Sequence, residues 1–133
     1  MPKTGNKGYL LDTNIVIDLF KGQRNIADKI NESGKVYLPI PTLAELYLGA
    51  ENSGRKTHHF KQINTLLDIT QLLNTSKRTA EMYGRIKVQL KKQGKPIPEN
   101  DIWIAAIAKE HNLTIVSRDK HFNHIPELTT VSW

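Results

Sequence analysis

Short apolar runs bounded by turn residues alternate along this chain with longer stretches of helical spacing. Tyr9-Leu10-Leu11 is one such run and reads as a buried strand. Thr13 or Asn14 can cap a helix running to about Lys21, and Gly22 stops it. A second helix covers about Asn25 to Glu32 and ends at Ser33-Gly34. Val36-Tyr37-Leu38 is a second strand, stopped by Pro39 and Pro41. Thr42 can cap the next helix, in which Leu43, Leu46, Tyr47 and Ala50 fall at i, i+3, i+4 and i+7. Phe60, Ile63, Leu66 and Leu67 mark another helix, and a short strand follows near Leu72 and Leu73. Ser76 opens a long helix through Met82, Ile86 and Leu90 to about Gln93, where Gly94 ends it. Pro96 and Pro98 precede a helix from about Glu99 to His111. Thr114 to Ser117 and Thr129 to Ser132 read as the last strands. Strands alternating with helices imply an α/β fold with a mainly parallel central sheet flanked by helices on both faces.

Composition narrows the chemistry. The 133 residues suggest a single domain over 1–133. There are no cysteines, so disulfides and thiolate metal sites are excluded. No window reaches the apolar length of a membrane span. Met1 to Asn6 lacks the apolar core of a signal peptide, which makes the cytoplasm the expected compartment and argues against a membrane partner. The net charge of +6 suggests a polyanionic partner, an inference that gains force only if an acidic site sits within the basic background.

Four acids follow turn signals in a consistent way. Asp12 stands between Tyr9-Leu10-Leu11 and Ile15-Val16-Ile17, where an uncompensated carboxylate is costly. Glu45 lies in the first turn of the helix after the second strand, Asp101 near the start of the helix after Pro98, and Asp119 just beyond the strand Thr114 to Ser117. In a parallel sheet, helix N-termini lie at the same edge as strand C-termini. All four carboxylates therefore face the edge where open α/β sheets bind ligands. Helix N-termini favour negative charge there, but four close carboxylates repel. A divalent cation, Mg²⁺ or Mn²⁺, removes the problem and accepts further oxygens from phosphate. Taken singly, each acid has an ordinary reading. Asp12 and Asp119 can be cap or turn residues, Glu45 a solvated helix residue, and Asp101 part of a cap with Asn100 or Glu99. Asp18 reads as the outer face of the first helix, and Asp28 and Asp68 as surface. The spacing of the four together carries the inference.

These stretches resemble the PIN-domain ribonucleases, particularly the VapC toxins of bacterial type II toxin–antitoxin systems. The segment "LLDTNIVIDLF" is similar to the family's opening motif and carries Asp12; "PTLAELYLGA" is similar to the second and carries Glu45. "GKPIPENDIWIAAIAKEHNLTIVSRDKHF" is similar to the last two and carries Asp101 and Asp119. The family often varies at the last acid. Ser117 stands where it often has a hydroxyl. Asn14 matches the Asn of the opening motif, which would orient Asp12 or a water. The resemblance implies a PIN-like three-layer fold and a Mg²⁺- or Mn²⁺-dependent endoribonuclease, with one or two ions activating water and neutralising phosphate charge. It also implies a homodimer and a cognate antitoxin, with operator DNA reached only through that antitoxin. An antitoxin Arg would pair with Glu45 or Asp101, beside a groove lined by Leu46, Tyr47 and Leu48.

Basic residues offer an RNA surface. Arg78, Arg85 and Lys92 recur every seven residues on the long helix, with Lys87, Lys91 and Lys95 nearby; such a run is usually a solvated face. Arg85, and Arg118 and Lys120 flanking Asp119, are the candidates for phosphate contact. The five histidines form no ligand pattern, and His121-Phe122 reads as structural. Trp103, Ile104 and Ile107 read as core, and Tyr47 and Tyr83 as packing rather than base stacking. Three rival readings remain: a housekeeping PIN nuclease, a phosphoacceptor receiver and a non-catalytic RNA-binding module. The short chain favours a toxin over the first. The receiver lacks a good acceptor Asp, and the four acids disfavour an inert module.

Overall fold

The computed structural model describes residues 8–133, so the reading of Met1 to Asn6 lies outside the described residues. The chain runs β1 (Tyr9–Leu11), α1 (Thr13–Phe20), α2 (Arg24–Ser33), β2 (Val36–Pro39), α3 (Ile40–Glu51), α4 (Lys56–Ile69), β3 (Gln71–Leu73), α5 (Lys77–Gln93), α6 (Glu99–His111), β4 (Thr114–Val116), a 3₁₀ turn (Lys120–His124) and β5 (Thr130–Val131). The strands form one sheet in the order β3-β2-β1-β4-β5, and every pair is parallel. The expected α/β architecture is therefore present.

Alternation along the strands divides the core between the two faces of the sheet. Leu10 and Ile115 join Ile86, Leu90, Ile104 and Ile107 under α5 and α6. Leu11, Leu38 and Val116 join Ile15, Ile26, Leu43, Ile63 and Leu66 under α1 to α4. Each fully buried Leu or Ile contributes about 1.5–3 kcal/mol relative to exposure. Helix α6 is buried nearly all round, from Ile104 through Ala108, as a helix wedged between sheet and neighbour must be. Its alanines leave room for α5, the helix with which it packs most extensively.

Helix α5 has well-defined ends. Ser76 and Thr79 form a reciprocal capping box, and Gly94 closes the helix in the left-handed conformation with φ 66°. The same hydroxyls of Ser76 and Thr79 donate to Glu110 and fasten α5 to α6. Two helix starts differ from the sequence expectation. Thr13 and Asn14 lie inside α1, and Asp12 is its N-cap without a side-chain cap bond. Helix α3 begins at Ile40, because Pro41 fits a helical first turn where no N–H is needed. Thr42 is then not a cap; its buried hydroxyl donates to the Leu11 carbonyl at 2.9 Å, tying α3 to β1.

In the strand order, the direction of winding reverses at β1, with β2 on one side and β4 on the other. Crevices open at the C-terminal ends of strands at such a reversal. The segments that leave β1 and β4 there carry Asp12, Ser117 and Asp119.

Candidate active site

Asp12 leaves β1 at this crevice and is only 4% exposed. Its backbone N–H donates to Val116 O at 3.1 Å, which continues the β1–β4 pairing one residue beyond the strand. Its Oδ2 accepts a 2.6 Å hydrogen bond from the Ser117 hydroxyl. Ser117 Oγ in turn accepts from the Asp119 N–H at 2.9 Å. Burial pushes the Asp12 carboxyl up from its ordinary value near 3.8 to about 6. The Ser117 and Thr13 hydrogen bonds oppose that rise, and the charges of Asp101 and Asp119 add to it. The compensation that the sequence requires for Asp12 thus comes in part from a serine hydroxyl.

Asp101 sits in the first turn of α6, 9% exposed, and its N–H donates to Pro98 O at 3.0 Å. Burial raises its carboxyl; Asp119 and Glu45 push the same way, and His121 opposes them. Asp119 is half-buried and caps the 3₁₀ turn by accepting from the His121 N–H at 2.9 Å. Glu45, half-buried on α3, is held by Asn100 Nδ2 at 2.7 Å across to α6.

Two of these contacts were not legible in the chain. His121 reaches the acids: its Nδ1 lies 3.1 Å from Asp101 Oδ2 and 3.0 Å from Asp119 Oδ2. The available signal was the Asp-x-His spacing after a strand, which a turn can fold back onto one point. Asn100 reads in the sequence only as a cap, whereas Pro98 is the N-cap and Asn100 reaches Glu45, 55 residues away.

The supporting and basic residues divide. Asn14 does not touch Asp12 through a hydrogen bond; its Oδ1 accepts from the Arg118 N–H at 3.3 Å and holds the loop after β4 against α1. Arg118 is committed to Asp18 at 2.8 Å and to the Trp133 carbonyl. Asp18 is therefore an ion-pair residue rather than a free outer face. Lys120 is exposed beside Asp119. Arg85 lines a separate cavity of about 360 Å³ with Gln89, Lys109 and Glu127, which none of the four acids lines. Trp103 is half-buried and stacks on Tyr83 at 4.3 Å, while Tyr47 packs on Phe60 at 5.5 Å. A groove of about 430 Å³ runs between α1, α3 and α4; Ile17, Phe20, Leu46 and Ile63 line it together with the charged Glu45, Lys21 and Arg55. Tyr47 and Leu48 do not line it.

The donor set suits a hard divalent cation. Asp12 and Asp101 are buried acids held above their ordinary range, and both feel Asp119. Among the described residues, the ion pairs reaching the cluster come from one imidazole, His121. Asp101, Asp119 and His121 offer ligand atoms within 4.8 Å of one another. Oxygen-rich sites short of positive charge are the kind that divalent cations fill.

Comparison with known proteins agrees with this geometry. The PIN domain model matches residues 9–128. Ribonuclease VapC2 of Haemophilus influenzae is 39% identical over 128 residues, covering 94% of this chain and 97% of the relative. The solved VapBC-1 of nontypeable Haemophilus influenzae superposes with a TM-score of 0.86 at 32% identity, over 94% of this chain and 97% of its counterpart. VapBC2 of Rickettsia felis, solved with a DNA fragment from its promoter, gives 0.85 at 25% identity, over 94% and 98%. With the parallel sheet, the acids at its reversal point and these similarities in agreement, the chain belongs to the PIN-domain family, among its VapC ribonucleases.

Proposed function

We propose that this chain is a Mg²⁺- or Mn²⁺-dependent endoribonuclease that acts as the toxin of a toxin–antitoxin pair. The observation that carries the reading is Asp12. It is a buried carboxylate without a cationic partner among the described residues, pushed up to about 6 by burial and by acidic neighbours at the sheet's reversal point. Asp12, Asp101 and Asp119 would hold the ion, with Glu45 bordering it. When bound, such an ion supplies Lewis-acid neutralisation of the scissile phosphate and lowers the pKa of water.

The chain's own residues prepare that site. Ser117 fixes the Asp12 carboxyl by its Oδ2. Asn100 fixes Glu45 by Oε1. Lys120, exposed next to Asp119, would meet RNA phosphate. The groove between α1, α3 and α4 would take an apolar antitoxin helix that carries a basic side chain to Glu45. Solved relatives assembled as VapBC complexes support that partner. Contact with operator DNA would then come through the antitoxin.

Expression of the chain alone is expected to arrest growth and to generate new RNA ends bearing 5′-phosphates. Co-expression with the adjacent gene should relieve the arrest. Harmless accumulation of folded, RNA-cleaving protein would support a housekeeping nuclease instead, and folded protein that cleaves no RNA would overturn the reading.

A further inference from the structure

Two acids of the site, Asp101 and Asp119, share an imidazole neighbour, His121. His121 belongs to the 3₁₀ turn after β4, and two anchors fix that turn. The His121 N–H is held by Asp119 Oδ1 at 2.9 Å, and the adjacent Phe122 is 1% exposed in the core. The imidazole itself stays 44% exposed, so core packing does not account for its position. Its Nδ1 lies 3.1 Å from Asp101 Oδ2 and 3.0 Å from Asp119 Oδ2.

Those spacings have a meaning in coordination chemistry. Around a small octahedral ion with bonds of about 2.0–2.1 Å, adjacent donors stand about 3 Å apart and opposite donors about 4 Å. The same distances serve a hydrogen bond in the ion's absence; with an ion present, the nitrogen would form two adjacent edges with the carboxylate oxygens, and all three atoms fall within 4.8 Å. We propose that His121 is a nitrogen ligand, through Nδ1, to the ion held by Asp101 and Asp119, and that it biases the site toward Mn²⁺ over Mg²⁺. This rests on the metal-dependent reading above. Nε2 then carries the ring proton. Mg²⁺ is the harder ion and prefers carboxylate and water oxygens, whereas Mn²⁺, although the weakest binder of the first-row series, accepts an imidazole nitrogen more readily than Mg²⁺ does. An all-oxygen site would show less discrimination. The short tether from Asp119 to His121 lets one turn deliver two ligands, while α6 delivers the third.

The test uses the full chain, stripped of metal by chelation and titrated without RNA against MnCl₂ and against MgCl₂. For His121→Ala and His121→Gln, Mn²⁺ affinity should fall on the order of tenfold or more. Mg²⁺ affinity should change by less than about threefold, so the preference between the ions narrows. Gln retains a polar side chain of similar reach and controls for loss of the turn. Pulsed EPR of bound Mn²⁺ should report coupling to a directly ligated nitrogen in the wild type, and none in either variant. Absence of that coupling in a Mn²⁺-loaded wild type would overturn the His121 assignment and leave the carboxylate site standing. Failure of the wild type to bind either ion saturably would overturn the metal reading and this assignment with it.

Discussion

Glu99 and Asp101 stand two residues apart in the first turn of α6, under opposite physical conditions. Glu99 is exposed; one oxygen accepts from Lys87 Nζ and the other from the Tyr83 hydroxyl, each at 2.8 Å. Those bonds, to Lys87 first and Tyr83 second, hold its carboxyl below the usual range. Asp101 is buried, and desolvation together with Asp119 and Glu45 holds it above that range despite His121. Both acids experience the same helix terminus, so the dipole does not separate them. Their partners do. Glu99 is satisfied by side chains of its own fold, while Asp101 stands in a group of acids that the fold leaves short of positive charge.

The contrast breaks most visibly in catalysis. Asp12→Asn and Asp101→Asn should each slow RNA cleavage on the order of a thousandfold, about 4 kcal/mol of transition-state stabilisation. Glu99→Gln should stay within about threefold of wild type, because its charge is spent on a surface pair. Single-turnover rates of the folded variants check this. Equal losses in Glu99→Gln and Asp101→Asn would erase the distinction.

Metal binding should separate the same two acids in stability. Mg²⁺ or Mn²⁺ at about 100 times its Kd should stabilise the wild type by about 2.7 kcal/mol, a rise of several degrees in Tm. Asp101→Asn should lose most of that rise and Glu99→Gln should keep it. Thermal melts with chelator and with each ion measure both.

Asp12 sharpens the comparison through pH. Folded Asp12 keeps its proton to about pH 6, whereas the unfolded chain releases it near 3.8. Between those values the folded state binds more protons, so its stability falls as pH rises. The gap corresponds to about 3 kcal/mol, fully felt above pH 6. In chelator, Asp12→Asn should therefore be more stable than wild type at pH 7.5 by about 1–3 kcal/mol. The difference should vanish below pH 4, as urea unfolding at both pH values will reveal.

The smallest effects belong to the basic residues. Arg118→Ala should lower stability by about 1 kcal/mol or less, since its pair with Asp18 is partly exposed. Lys120→Ala should weaken RNA binding evenly across sequences and reduce the salt slope by about one. Binding isotherms at several salt concentrations distinguish the two.

Much of this architecture is written locally. Ser76 and Gly94 bracket α5 because capping and left-handed closure depend on neighbouring residues alone. Glu99–His111 follows from Pro98 and an apolar run. The placement of acids after strands and in first helical turns follows from parallel-sheet geometry. What the chain conceals is long-range pairing. Ser117 meets Asp12 across 105 positions, Asn100 meets Glu45 across 55, and His121 meets Asp101 across 20. Arg118 looks like a phosphate ligand in its tripeptide but is consumed by Asp18, 100 positions away. The start of α3 misleads for a different reason. Pro39 and Pro41 read as a stop, yet a proline in the first turn lacks only an N–H that the helix does not use.

Cleavage of RNA by the purified chain, measured in chelator and then on addition of Mg²⁺, tests the central claim most directly when Asp101→Asn is run beside it. The account predicts no cleavage in chelator, restoration by Mg²⁺ or Mn²⁺ with little rescue by Ca²⁺, and no restoration in the variant. Full wild-type cleavage in chelator, or an Asp101→Asn variant that Mg²⁺ restores to the wild-type rate, would contradict it.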